Sequence, residues 1–217
     1  MKALVKLGTP AIAAATAVGL LAGTASAATT TVLREDTRTP YDGGYQILNV
    51  GALTFSGTGF TASCSSADLR GTLTSSGSGT LDSANVTGCT SNLGNPTVTF
   101  RNLPYTDGTL AYGPSGNYDG TLTFTDTDLE IQASFGFLTC VYGFDATHTS
   151  LTFQVRNSDN PANSTGQLAG TMNNVSLGLK SGSFLCPSGV TANGTGKALG
   201  KVNPSDTTYT QKLHITA

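Results

Sequence analysis

The stretch Thr121-Leu122-Thr123-Phe124-Thr125 decides the fold class of this chain. Apolar and polar residues alternate in it, so an extended strand places Leu122 and Phe124 on one face and the three threonines on the other. Asp119-Gly120 comes directly before it and supplies the backbone freedom of a tight turn. The stretch is therefore typical of a β-strand with one face in a core and one face toward solvent.

The same period of two recurs along the chain from Tyr45 onward. No segment keeps helical spacing over ten positions, and glycine at 27 places weakens any helix. The sequence therefore predicts an all-β protein, an antiparallel β-sandwich or distorted barrel, with almost no helix outside a signal peptide. Strands are expected near residues 45–55, 68–75, 80–88, 97–103, 120–125, 129–143, 149–157, 165–179, 190–200 and 208–216.

Alternating apolar positions predict the core of this fold. The aromatic residues around Cys140 are assigned to the core as well. The predicted core residues are Phe55, Phe60, Leu73, Val86, Val98, Phe100, Phe124, Ile131, Phe135, Phe153, Val155, Leu168, Val175, Leu177 and Ile215, together with Phe137, Tyr142 and Phe144.

The first 27 residues have the pattern of a secretory signal peptide. Lys2 and Lys6 precede an uncharged, alanine-rich run, and Ala25-Ser26-Ala27 is the small-residue pattern that signal peptidase reads. The sequence therefore predicts a chain that begins near Ala28 after cleavage. We expect the protein to be secreted, either free outside the cell or associated with the cell envelope.

The remaining chain is expected to hold one folded domain. Residues 28–44 contain a mixed cluster of charges and read as a partly ordered N-terminal leader, whereas residues 45–217 read as a single β domain.

Four cysteines follow the predicted signal peptide, and in an oxidising compartment they should form two disulfides. Three pairings are possible. We favour Cys64 with Cys89 and Cys140 with Cys186, because each pair ties an outgoing strand to a later strand that can lie beside it. The spacing between the cysteines is far from that of a zinc site.

Net charge and hydropathy exclude several kinds of partner. Without Lys2 and Lys6 the chain keeps nine Lys and Arg against 13 Asp and Glu, a net charge of −4 that disfavours nucleic acid. No apolar run after the signal approaches the roughly 20 residues of a membrane span. The partner itself is unknown, and a cell-wall glycan or a surface protein is the expected kind.

Three tyrosines form the candidate ligand-binding set. Tyr105, Tyr112 and Tyr118 lie in a stretch rich in glycine, aspartate and asparagine, where exposed rings could stack on a sugar. The alternative is that these rings are ordinary strand residues that cover a sheet edge.

The densest acidic cluster is Asp126-Thr127-Asp128-Leu129-Glu130. Its carboxylates could hold calcium as hard oxygen ligands. The favoured interpretation is a turn, in which short aspartate side chains bond the nearby backbone, so no metal site is predicted.

Catalytic motifs are not found in the sequence. Only His148 and His214 could act as a general base near neutral pH, and neither lies in a recognisable frame with a nucleophile. No catalytic residue and no cofactor is therefore predicted. We expect a non-catalytic binding or structural protein. The alternatives are a carrier with an apolar cavity inside the barrel and, below it, a secreted hydrolase.

Several short segments resemble small secreted all-β proteins of actinobacteria that have four cysteines and a signal peptide. The resemblance implies secretion and a β fold, and it implies nothing about mechanism. Its segments are Phe60-Thr61-Ala62-Ser63-Cys64, Val86-Thr87-Gly88-Cys89, Asn102-Leu103-Pro104-Tyr105, Phe137-Leu138-Thr139-Cys140 and Ser183-Phe184-Leu185-Cys186-Pro187.

Overall fold

The computed structural model describes residues 29–217, which form 14 antiparallel β-strands and no helix. The predicted all-β class is confirmed, whereas the signal peptide predicted at residues 1–27 lies outside the described residues. Between residues 29 and 217, no helix long and apolar enough to cross a membrane is found. The strands are β1 (Thr31–Arg34), β2 (Gly43–Gly57), β3 (Phe60–Leu73), β4 (Ser78–Leu81), β5 (Ser83–Ser91), β6 (Thr97–Arg101), β7 (Tyr105–Ser115), β8 (Tyr118–Phe124), β9 (Glu130–Ser134), β10 (Thr139–Gly143), β11 (Leu151–Arg156), β12 (Leu168–Gly182), β13 (Gly189–Gly200) and β14 (Gln211–Thr216).

Four long strands of 12 to 15 residues pair side by side in the order β3-β2-β13-β12 and form what we call the long wall. Each long strand has an irregularity in its pairing near the middle, such as the register shift between Leu48 and Leu53 where β2 pairs with β3. Such irregularities bend strands. The long wall therefore divides into two halves along its length.

Two sets of shorter strands complete the fold. The first short set has the order β4-β7-β8-β11, and the second short set has the order β5-β6-β9-β10. The chain alternates between them, because β4 leads into β5, β6 into β7, β8 into β9 and β10 into β11.

Both short sets pair with the long wall at each side. β3 pairs with β5 along residues 62–70 and with β4 at Leu73, while β12 pairs with β11 along residues 169–171 and with β10 along residues 178–182. The strand pairing therefore returns on itself twice. The result is two closed rings of eight strands that share the long wall. The first ring is completed by the first short set, and the second ring by the second short set.

Residues 29–44, most of the segment expected to be a partly ordered leader, contribute to the packed structure. Val32 in β1 is fully buried and pairs with Ile215 of β14. Tyr41 is also fully buried, and its hydroxyl donates to the Gly44 carbonyl at 2.6 Å and accepts from the Lys201 backbone NH at 2.8 Å. Strand pairing and a buried tyrosine thus order a segment whose charges suggested mobility.

The predicted core residues lie inside the rings, with one exception. Nine of the alternating positions are buried and six are partly buried against them, including Phe55 and Val175. Tyr142 and Phe144 are buried as well, and Phe135 is partly buried against the same cluster. Phe137 was assigned to the core wrongly, because it lies 83% exposed at the tip of a hairpin.

Both disulfides have the predicted pairing, Cys64–Cys89 and Cys140–Cys186. Cys64 of β3 lies directly opposite Cys89 of β5, and Cys140 of β10 is bonded to the loop that follows β12. Each disulfide therefore closes one of the two seams between the long wall and the second short set. Such bridges are typical of an oxidising, extracellular environment.

Candidate functional site

A cavity of about 100 Å³ lies between the long wall and the second short set. Apolar side chains from both walls line it almost throughout, among them Phe55, Phe60, Val86, Phe100 and Met172. A space of this size could hold several water molecules, yet apolar walls offer water few of the hydrogen bonds it needs. The cavity is therefore suited to an apolar occupant.

The cavity arises because large side chains hold the two walls apart and do not interlock completely. Phe60 and Phe135 meet edge to face at 5.8 Å between ring centres, and Phe100 from β6 packs against the same core cluster. Small residues line the same space, including Ala62 and Ala192. Large rings beside small side chains leave a space that neither fills.

A second cavity of about 40 Å³ lies inside the first ring. Tyr45, Ile47, Leu122, Phe124 and Phe153 line both cavities and therefore separate them. Leu122 and Phe124 are the two apolar residues of the alternating stretch that predicted the fold. The same side chains thus close the floor of the larger cavity.

Tyr142 is a polar group at the wall of the larger cavity. Its side chain is buried, and burial raises the pKa of its phenol to about 12. Among residues 29–217, its hydroxyl makes no hydrogen bond. At neutral pH Tyr142 therefore carries a protonated hydroxyl, a group that can donate one hydrogen bond.

The structure does not bring the three candidate tyrosines together as exposed rings. Tyr105 is fully buried, which corrects the expectation of an exposed ring at that position. Its hydroxyl donates to the Arg101 carbonyl at 2.5 Å and accepts from the Glu130 backbone NH at 3.1 Å. Burial raises the pKa of this phenol to about 12. Tyr105 begins β7 of the first short set, and its hydroxyl bonds the backbone of β6 and of β9 in the second short set. The side chain thus connects the two short sets.

Replacing Tyr105 with phenylalanine should lower the free energy of unfolding by about 2 kcal/mol, since the Arg101 carbonyl and the Glu130 NH lose their partner. Urea unfolding measures this loss. Tyr118→Phe is the matched control, because Tyr118 is half-buried and its change should cost less than about 0.5 kcal/mol. Equal stability of the two variants would show that the buried hydroxyl contributes nothing.

Tyr112 and Tyr118 are half-buried and lie on the hairpin that β7 and β8 form. Tyr112 packs against the core cluster of the first ring. Sugar binding by Tyr112 and Tyr118 stays a prediction.

The acidic cluster forms a turn. The backbone NH of Asp128 donates to the Asp126 carboxylate at 3.0 Å, and Leu129, between the acidic residues, is fully buried. Among residues 29–217, no group of three or more metal-ligating side chains is found. The bonding between these two aspartates is that of the predicted turn.

The two histidines lie apart from the cavity. His148 lies in a turn, where its backbone NH donates to the Asp145 carboxylate at 2.8 Å. Hydrogen bonds from Thr147 and His148 hold the pKa of Asp145 well below its usual range. His214 lies in β14, and burial lowers the pKa of its imidazole. The structure does not bring His148 and His214 to a shared site.

One end of the molecule carries apolar side chains in solvent, and we call it the apolar end. It consists of the loops at residues 57–60, 91–97, 134–139 and 182–189. Pairing of Thr97 with Ser134 and of Cys140 with Gly182 places these loops at the same end of the rings. Sequence reasoning missed this surface, although Phe184-Leu185, between Ser183 and Cys186-Pro187, was a signal for an apolar loop.

Comparisons with protein-family models, with curated proteins and with solved structures found no match. The resemblance to secreted actinobacterial proteins stays a prediction.

Proposed function

We propose that this chain is an exported, non-catalytic binding protein that holds a small apolar molecule inside its second ring. The apolar cavity of about 100 Å³ is the observation that carries the proposal. Binding sites for small molecules are concave, mostly apolar and supplied with few polar groups. The cavity has each of these properties.

The size of the cavity limits the ligand. An engineered apolar cavity of about 150 Å³ binds benzene. The cavity described here has about two thirds of that volume, so the proposed ligand is at most one apolar ring or a short branched chain. The Tyr142 hydroxyl favours a ligand that carries one hydrogen-bond acceptor.

The disulfides support the exported part of the proposal. Both bridges brace the ring that contains the cavity, at its two seams. Oxidising conditions are therefore needed for the proposed site to keep its shape. The predicted signal peptide at residues 1–27 accounts for export.

Benzene is the first probe of the cavity. At about ten times its dissociation constant, benzene should raise the thermal midpoint of unfolding by about 3 °C or more, because it binds the folded state alone. The NMR signal of xenon added to the protein should be shifted from that of free xenon, because part of the xenon is bound. Absence of both effects would contradict the proposal.

Variants that fill the cavity locate the binding. Ala192→Leu puts a larger side chain into the cavity and should abolish the benzene effect, and Ala133→Val serves as a second filling variant. Ala52→Leu is the matched control, since Ala52 is exposed in β2 and its change should leave the benzene effect intact. An unchanged benzene effect in both filling variants would place binding elsewhere.

The hydroxyl of Tyr142 is tested separately. Tyr142→Phe should weaken the binding of benzaldehyde about three- to tenfold, because the carbonyl loses a donor, and should leave benzene binding unchanged. Titration followed by NMR measures both affinities. Equal weakening for both probes would indicate a change in cavity shape rather than a lost hydrogen bond.

A further inference from the structure

The apolar end exposes large side chains that a folded protein ordinarily buries. Phe137 is 83% exposed, Phe184 94%, Leu185 54% and Leu93 41%. Six large apolar side chains are exposed among residues 29–217, and these four lie together at one end of the rings. Concentration of exposed apolar side chains on one surface marks a contact with another molecule or with a membrane.

The four loops of the apolar end contain no charged residue. The opposite end has loops that carry Glu35, Asp36, Arg38, Lys201 and Asp206. One end of the long axis therefore has loops with exposed apolar side chains and no charge, and the other end has loops with charged side chains.

The apolar loops are fastened to one another. Asn92 donates to the Gly59 carbonyl at 2.8 Å and accepts from the Thr61 backbone NH at 3.0 Å, which joins the loop at 91–97 to the turn at 57–60. The Cys140–Cys186 disulfide fixes the loop at 182–189 beside β10. The exposed side chains therefore cannot readily fold back onto the core.

We propose that the apolar end inserts into the surface of a lipid bilayer whose headgroups carry no net charge. Loop tips that bear phenylalanine and leucine place apolar groups at the boundary between headgroups and acyl chains, where such groups leave water. The absence of charge in these loops matches a neutral surface and offers nothing to an anionic one.

The composition of the apolar end supports lipid as the partner. Protein interfaces surround their apolar centre with a polar, solvent-accessible rim and carry about ten direct hydrogen bonds. The four loops contain no charged side chain, and their large side chains are phenylalanine and leucine. A bilayer accepts such side chains without requiring a matched shape.

Introduced tryptophan reports insertion directly, because the chain has no tryptophan of its own. Phe184→Trp should show a blue-shifted emission with phosphatidylcholine vesicles and should be quenched by brominated acyl chains. Val202→Trp is the matched control, since Val202 is 43% exposed in the loop after β13, at the opposite end. Its emission should not change.

Sedimentation with the same vesicles measures the contribution of the phenylalanines. Phe137→Ser with Phe184→Ser should reduce the bound fraction at limiting lipid at least about tenfold, whereas Val202→Ser should leave it unchanged. Both phenylalanines are exposed, so thermal midpoints close to that of the unchanged protein are expected and verify folding.

Three results would overturn the proposal. Phe184→Trp emission that stays unquenched at saturating lipid would rule out insertion. Emission that shifts without lipid, as the protein dimerises, would assign the apolar end to a second copy of the chain. Binding that requires anionic lipid and disappears at high salt would assign the contact to charged surfaces.

Discussion

Replacing all four cysteines with alanine is expected to leave the protein unfolded at 37 °C. The two disulfides span sequence separations of 25 and 46 residues. On the chain-entropy account they restrict the unfolded chain by about 3.5 and about 4 kcal/mol. Their sum is comparable with the whole net stability of a typical domain, about 5–15 kcal/mol.

The paired replacements separate the two contributions. Cys64→Ala with Cys89→Ala should lower the free energy of unfolding by about 3.5 kcal/mol, and Cys140→Ala with Cys186→Ala by about 4 kcal/mol. Urea unfolding followed by circular dichroism measures each loss. Ser66→Ala on β3 is an exposed control and should cost less than about 0.5 kcal/mol.

The positions of the bridges predict where the loosened structure opens. Both lie at seams of the second short set, so loss of either should increase amide hydrogen exchange in β5, β6, β9 and β10 more than in β4, β7, β8 and β11. A fourfold variant that still unfolds cooperatively, within about 2 kcal/mol of the unchanged protein, would contradict this account.

Asn157→Ala is expected to lower the free energy of unfolding by about 3 kcal/mol. Asn157 is 5% exposed, and its side-chain amide donates to the Ile215 carbonyl at 2.9 Å and accepts from the Ile215 NH at 2.8 Å. Alanine would leave both backbone groups of fully buried Ile215 without partners, each at a cost of about 1–3 kcal/mol.

Two further variants test the Asn157 interpretation. Asn157→Asp keeps the acceptor and loses the donor, so it should be destabilised through the unpaired Ile215 carbonyl and the buried carboxyl. Asn117→Ala, at an exposed turn, is the matched control and should unfold as the unchanged protein does. Urea unfolding with the disulfides intact measures all three, and a loss below about 1 kcal/mol for Asn157→Ala would refute the role of this clamp.

Alternation predicted most strands because a strand with one face in the core must repeat every two residues. The stretch around Leu122 and Phe124 satisfies this rule and lies in β8. Strand β7 was not predicted, since Asp107-Gly108 and Gly113-Pro114 are typical of turns. The Asp107 carboxylate accepts from the Thr125 NH at 2.8 Å, so a residue typical of turns here bonds the strand beside it.

The candidate sites could not be predicted in the same way. A cavity depends on how far two walls stand apart, and that distance results from side chains remote in sequence, such as Phe60 and Phe135. Likewise, the aromatic residues around Cys140 were assigned to the core together, because the sequence does not show that a hairpin tip leaves Phe137 exposed. The disulfide pairing was accessible because cysteines that join neighbouring strands have few alternatives.

The alternation of the chain between the two short sets has a consequence for biosynthesis. Both rings close only when β12 has paired with β10, β11 and β13, so a nascent polypeptide cannot complete one ring while the other is still being made. Thr31 finally pairs with Thr216. Acquisition of the native state must therefore await synthesis of β14, and translation products that end before it should be substrates for proteolysis rather than stable fragments.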